Sequence, residues 1–242
     1  MKFFKSSYDK AFEEGGVMNM RKSLLCILVF LFMVTSVYAF GGPAPVKKAA
    51  YPYLVDNFED GNFNKDPEWF TFDAVIPSIA RNSNLKEGEP NVSANVGEYS
   101  LNLAGTAKDW YVGGMGVVLG IDATGYDSFD LDIYSYGETS GKLKIELYDD
   151  DNGNSDIEVG RDWKPLYDDL FVSEIEVNWT GFKHVSVPIK EFKIEGAGNK
   201  TWDPNLKNGS GGLVKVQLIS VATTQTGSVN YNVDNLELGV SK

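Results

Sequence analysis

Histidine and cysteine are almost missing from this chain, with one of each in 242 residues. The cysteine, Cys26, falls inside an apolar run over residues 24–34, and the histidine, His184, stands in the alternating stretch FKHVSVPI, which points it to solvent. A zinc centre or a histidine-dependent nucleophile cannot be assembled from that inventory. Disulfides are excluded as well, so an exported form must rely on its core. Positive charge is also scarce: 22 Lys and Arg face 34 Asp and Glu, for a net charge of −12. Nucleic acid and anionic membrane surfaces demand basic patches and are poor partners for such a chain, whereas neutral glycans and divalent cations suit it. Paired carboxylates can hydrolyse glycosides, but among so many acidic residues a pair carries no information. No window shows the periodicity of a long amphipathic helix.

Arg21 and Lys22 precede the apolar run, and Val37-Tyr38-Ala39 ends it with modest side chains, the pattern of a signal peptide over about residues 20–39. The run is too short for a membrane span of roughly 20 residues. Asp9, Glu13 and Glu14 do not suit a positively charged leader start, so translation is expected to begin at Met18 or Met20. The expected organisation is an upstream extension and signal peptide over 1–39, a Gly/Pro/Ala linker over 40–50 and one domain over 51–242. Without residues 1–39, which hold five Lys/Arg and three Asp/Glu, the net charge becomes −14. Secretion to the periplasm, the cell surface or the medium follows, with no membrane association after cleavage. The oligomeric state has no signature.

Beyond Tyr51 the pattern is that of strands. Phe129, Leu131 and Ile133 alternate with Asp130, Asp132 and Tyr134, and Leu143, Ile145 and Leu147 alternate with Lys144, Glu146 and Tyr148. Val185, Val187 and Ile189 repeat the theme. A period of two marks half-buried strands. Further strands are expected over 53–59, 70–76, 100–106, 111–121, 171–177, 213–222 and 228–239, with one helical turn over 188–192. About ten short strands predict an all-β, antiparallel β-sandwich of the jelly-roll kind.

VDNFE at 55–59 is echoed by VDNLE at 233–237, near the two ends of the domain. Both copies slip out of phase: Tyr231 and Val233 are followed by Leu236 and Leu238, and Val55 by Phe58. An extra residue that shifts phase signals a β-bulge. If the terminal strands pair, Asp56, Glu59 and Asp234 meet, and their mutual repulsion calls for a counter-ion. Calcium, with its taste for mixed oxygen ligands, is the expected structural cofactor; two solvated edge bulges are the alternative.

With VDNFEDG at the start, an acidic loop after a middle strand, WTGFKHVSVPIKEF and a closing VNYNVDNLELG, the chain resembles the galactose-binding-like jelly rolls. It is similar to family 11 carbohydrate-binding modules and to the complex I intermediate-associated superfamily, over about residues 53–238. The resemblance implies a two-sheet sandwich with structural calcium, and a concave face where aromatic rings, aspartates and an arginine hold a β-glucan chain. By position, DWYVGG (109–114) supplies Tyr111 to that face, TWDPN (201–205) supplies Trp202 and Asp203, and GRDW (160–163) supplies Asp162. The chain departs from the family where Ser220 and Val221 replace a tyrosine, and where only Lys193 and Lys200 stand near the place of the arginine.

Sugars need aromatic faces against their C–H faces and planar polar groups for their hydroxyls. Trp110 and Trp202, each beside an aspartate, are expected to be exposed, and Trp179 to pack. The stretch ELYDDDNGNSD at 146–156 does not fit an EF-hand register, because glycine falls out of step with the acidic positions. Tyr148 is expected on the wet face and Asp149 at the rim of a ligand site; a solvated turn and a local cation site are the other readings. The expected function is non-catalytic recognition of a polysaccharide or oligosaccharide. A structural or adhesive envelope protein, and a glycan-active hydrolase or lyase, are the alternatives.

Overall fold

The computed structural model describes residues 47–240, apart from 86, 87, 90, 91, 93 and 94. The expected leader, Cys26 and most of the linker lie outside the described residues. Lys48 and Ala49, at the end of that linker, are already attached to the domain: Lys48 Nζ is 2.8 Å from Asp127 and the Ala49 amide donates to the Gly125 carbonyl.

Twelve strands form two six-stranded antiparallel sheets. The first sheet runs β3 (Ile76–Arg81), β4 (Tyr99–Thr106), β12 (Ser228–Gly239), β6 (Ser128–Tyr136), β9 (Thr180–Pro188), with β1 (Tyr53–Asp56) also paired to β12. The second runs β10 (Lys193–Gly196), β8 (Asp169–Val177), β7 (Gly141–Asp149), β11 (Leu213–Val221), β5 (Tyr111–Ile121), β2 (Trp69–Asp73). This is the expected sandwich, with two strands more than expected, β3 and β10. The turn expected over 188–192 is a 3-10 turn at Ile189–Glu191.

The alternation in the sequence explains the layers. Leu101, Leu103, Phe129, Leu131, Ile133, Tyr231 and Val233 point inward from the first sheet and are buried against Met115, Leu143, Ile145, Leu147, Phe171, Val216 and Leu218 of the second. Each such side chain contributes about 1.5–3 kcal/mol by leaving water. Two polar links cross this core. The Tyr231 hydroxyl meets Ser220 Oγ at 2.7 Å with both residues fully buried. Trp69 Nε1 donates to Asp56 Oδ2 at 2.8 Å, joining β2 of one sheet to β1 of the other. Ser220, at the position where the resembled family can show a tyrosine, is therefore a core residue.

The terminal strands pair as the echoed pentapeptides suggested. Tyr53 faces Leu238 and Asp56 faces Leu236, with a register shift between Leu54 and Asp56. A second shift lies between Asp234 and Glu237 where β12 meets β6. Each echo holds one residue at positive φ, at neighbouring rather than equivalent places: Phe58, the fourth of its five, at 54° and Asn235, the third of its five, at 46°. Both bulges serve the core, since Phe58, Val233, Leu236 and Leu238 are all completely buried.

Candidate functional site

The outer face of the second sheet is built from two neighbouring cross-strand rows. Phe70 of β2 faces Gly116 of β5, then Gln217 of β11 and Glu146 of β7. Beside it Phe72 faces Gly114, then Ile219 and Lys144. The glycines matter because they carry nothing outward. A Cβ on Gly116 would meet Phe70 Cζ at 2.5 Å and Gln217 Cγ at 2.9 Å, and one on Gly114 would meet Phe72 Cζ at 2.7 Å. The two phenyl rings, 6.2 Å apart and tilted by 35°, thus lie over bare backbone rather than standing beside side chains.

Polar groups frame these rings. The Tyr148 hydroxyl is 2.8 Å from Glu146 Oε2 and 2.9 Å from Gln217 Oε1, and Lys144 Nζ donates to Glu146 at 2.6 Å. Lys215 Nζ stands 4.0 Å above the Tyr148 ring; burial lowers the pKa of this ammonium. At the far side Tyr111 donates to Asp73 Oδ2 at 2.6 Å. Burial first, then the neighbouring carboxylates Asp73 and Glu146, push the Tyr111 hydroxyl pKa upward, and burial followed by Glu146 does the same for Tyr148. Both phenols stay neutral and keep a donor. Rings beside hydroxyl, amide and charged groups combine an apolar surface with donors and acceptors.

Two of the seven expected ligand residues, Tyr111 and Tyr148, share the outer side of this sheet, but only Tyr111 is exposed: Tyr148, expected on the wet face, is buried at 4% beside Glu146 at 5%, covered by its neighbours Lys215, Glu146 and Gln217. Trp110 is half exposed at the head of β5 and lines a groove of about 740 Å³ with Lys142, Glu176, Asn178 and Thr223. Asp109 and Trp110 both take positive φ, 57° and 71°, and hydrogen bonds from Trp110 N to Gln225 O and from Ala222 N to Trp110 O hold that conformation. Trp202, expected to be exposed, is instead partly buried. Its ring stands edge-on to Phe171 at 5.0 Å and its Nε1 donates to the Tyr126 carbonyl at 3.1 Å, so it anchors a loop to the core. Asp149, expected at the rim, is only 1% exposed. Asp203 is half-buried beside it, its amide donating to Asp149 Oδ2 at 3.2 Å. Asp162 is exposed on the turn that presents Trp163, which is 79% exposed. Trp179 packs partly, with Lys183 over its ring. His184 is half exposed, with Nδ1 2.8 Å from Asp132.

Phe70, Phe72, Gln217 and Lys144 were not singled out from sequence. A signal existed: WFTF at 69–72 puts aromatic residues on both faces of one short strand, so one set must lie outside the core.

The residues expected to hold calcium are partly together. Glu59 accepts the Glu98 and Tyr99 amides, and its charge, with that of Asp132, adds to burial in pushing Asp234 up to about 8. Asn82 Nδ2 is 2.5 Å from Val96 O, 3.0 Å from Tyr99 O and 3.4 Å from Asp234 Oδ2, while Asn82 Oδ1 is buried without a partner. Asp56 is engaged elsewhere, accepting from the Phe58 amide and the Trp69 indole. Among the described residues no three histidine, cysteine or carboxylate side chains stand ready-made around a metal.

The chain matches no protein-family model and no curated protein. Solved structures to which the chain is similar include the family 11 carbohydrate-binding module of a cellulosomal cellulase of Clostridium thermocellum, at 13% identity and a TM-score of 0.49, covering 80% of this chain and 97% of that one. The Clostridium thermocellum family 11 module in complex with a β-1,3-1,4-mixed-linked tetrasaccharide is 16% identical, with a TM-score of 0.49 and coverage of 80% and 98%. A family 22 xylan-binding domain from Paenibacillus barcinonensis is 13% identical, with a TM-score of 0.43 and coverage of 80% and 99%.

Proposed function

We propose that this chain is an exported, non-catalytic carbohydrate-binding domain that holds a polysaccharide across the outer face of its second sheet. The observation that carries this reading is the pair of phenyl rings laid over Gly114 and Gly116, between Tyr111 and the Tyr148–Glu146–Gln217 group. Phe70 and Phe72 supply the apolar platform, Tyr111 and Gln217 meet sugar hydroxyls, and the buried Tyr148 and Glu146 hold Gln217 and Lys144 in place. Trp110 extends the platform at the loop end of the sheet. Export rests on the leader read over residues 20–39.

Structural calcium belongs to the same reading, at the paired terminal strands. The amide nitrogen of Asn82 faces several oxygens while its own oxygen has no donor; an amide turned by half a revolution places a further oxygen toward Asp234. These residues fit a hard cation held by Asp234, Asn82, Glu59 and the carbonyls of Val96 and Tyr99. Such a cation stiffens the sandwich and takes no part in chemistry.

The test is migration through gels containing soluble glucans, xylans or mannans. Retardation by at least one glycan, lost in Tyr148→Ala and in Phe70→Ala, is expected. Unretarded migration across a broad glycan panel, with self-association instead, favours an adhesive protein. Release of reducing ends contradicts the non-catalytic assignment.

A further inference from the structure

The exposed apolar groups of the second sheet are not spread over its outer face; they follow one line. Val118, Phe70, Phe72 and Tyr111 sit in successive rows along β2 and β5, and Trp110 comes next in the chain. All but the half-buried Phe72 are exposed. Gly116 and Gly114 hold the two middle rows, opposite Phe70 and Phe72, so no side chain of β5 interrupts the line there.

Two local irregularities carry the line on to the loop end of the sheet. Strict alternation after Gly116 and Gly114 would turn residue 112 outward. A register shift between Ser220 and Val221 instead sets Tyr111 opposite Val221, and Val112 enters the core at 1% exposure. The extra residue re-aims Tyr111 outward, as bulges beside binding sites do. Trp110 then takes positive φ, and the groove it lines with Val221 and Lys142 continues the same line.

Across the strands the surface changes character within two steps. The row that starts at Phe70 crosses Gly116 and Gln217 and reaches Glu146, which is buried and bound to Lys144 and Tyr148. The row that starts at Phe72 crosses Gly114 and Ile219, then Lys144, and ends on Glu174, which accepts from Lys142. Among the described residues no large hydrophobic side chain of β7 or β8 is exposed. A ligand laid across the strands would meet rings at one end only. One laid along them meets apolar surface in every row.

We infer that a bound glycan runs along β2 and β5, from Val118 to the Trp110 groove, and not across the sheet. This rests on the recognition face proposed above and adds its ligand class, a linear, extended chain gripped along its length. Residues 110 to 118 span about 26 Å of strand, roughly the length of five sugar units. Phe70 and Phe72 hold the middle of such a chain, while Trp110 and Val118 read its length. A disaccharide, or a compact branched glycan, covers only the ring pair.

The experiment is calorimetric titration of the full chain with cello-, xylo- and manno-oligosaccharides of two to six units. In a series that binds, affinity is expected to rise with each unit up to about five and then level. Trp110→Ala is expected to remove about tenfold of the gain between three and five units. Glu174→Gln, at the far end of a crossing row, is expected to keep that gain. In the wild type, amide shifts that appear with the hexasaccharide and not with the trisaccharide are expected at 110–112 and 117–119. A gain that survives Trp110→Ala and is lost in Glu174→Gln, or added shifts at 172–174, overturns the inference while the recognition face stands. Affinity that levels at two or three units overturns it too. If no series binds, the recognition face and the direction fall together.

Discussion

The outer faces of the two sheets are both polar, yet they are polar in different ways. On the first sheet the polar groups satisfy one another. Asn102 donates to Asn230 and Asn232, Asn232 donates to Ser100 and accepts from Tyr136, Asn235 donates to Asp132, and Ser186 donates to Asp130. Part of that face is also covered, where Val92 and Val96 pack on Tyr134 and Phe182. The second sheet also pairs its polar groups, Tyr148 with Glu146 and Gln217, Lys144 with Glu146 and Tyr111 with Asp73, but it adds two phenyl rings over glycine. The first face is a closed polar ladder; the second carries an aromatic surface as well. The difference between the faces is that aromatic surface, not polarity as such.

The largest expected effect tests what holds the two faces back to back. Asp56→Ala leaves the Phe58 amide and the Trp69 indole without an acceptor and is expected to cost about 2–4 kcal/mol. That lowers the melting temperature by roughly 5–15 °C for a chain of this size, as read by calorimetry. The next sharpens the role of the glycines. In Gly116→Ala the atoms nearest the new methyl are the tip of the Phe70 ring and Gln217 Cγ, all of them side chain, so the rings shift while the sheet survives. Glycan affinity is expected to fall about tenfold, or about 1.4 kcal/mol, with melting little changed.

Tyr136→Phe supplies the contrast on the first face. It removes the hydroxyl that reaches Asn232 at 3.2 Å, a loss of about 1 kcal/mol or less in stability, and glycan affinity is expected to stay within a factor of two. The smallest effect lies at the edge of the second sheet. Lys193 and Lys164 hold the Glu195 carboxyl down to about 2. A group with a depressed folded pKa gives stability that is present above its ordinary value near 4.5 and is lost as pH falls toward 2. Because these lysines are largely exposed, Glu195→Gln is expected to remove under about 1 kcal/mol of that acid sensitivity, measured by denaturant titration between pH 5 and 2.

The sequence made the architecture readable because period-two alternation survives wherever one face is buried, as in 129–134 and 143–148. The paired terminal bulges were readable for the same reason: once Leu236 and Leu238 slip against Tyr231 and Val233, only an extra residue restores burial. The missed strands lack that signal. β3 carries Pro77, and its six residues are all exposed or half-buried, while β10 is a four-residue edge. Within the site, Tyr111 was legible as an aromatic residue on a wet position, whereas Tyr148 points outward as the alternation implied but is buried by its neighbours. Phe70 and Phe72 were not legible, since a phenylalanine on a strand reads as core until its cross-strand partners are known to be glycines. Trp202 and Asp149 failed in the opposite direction. Trp202 lies on a loop and Asp149 is the last residue of β7, where burial depends on what folds over them, and local pattern carries no record of that.

Amide shifts followed by NMR during titration with a retarding soluble glycan test the recognition face most directly. Changes concentrated in residues 70–72, 114–118, 144–148 and 215–219, with 100–104, 130–136 and 230–232 unmoved, are what the account predicts. Changes confined to the first sheet, or to loops away from both faces, would contradict it.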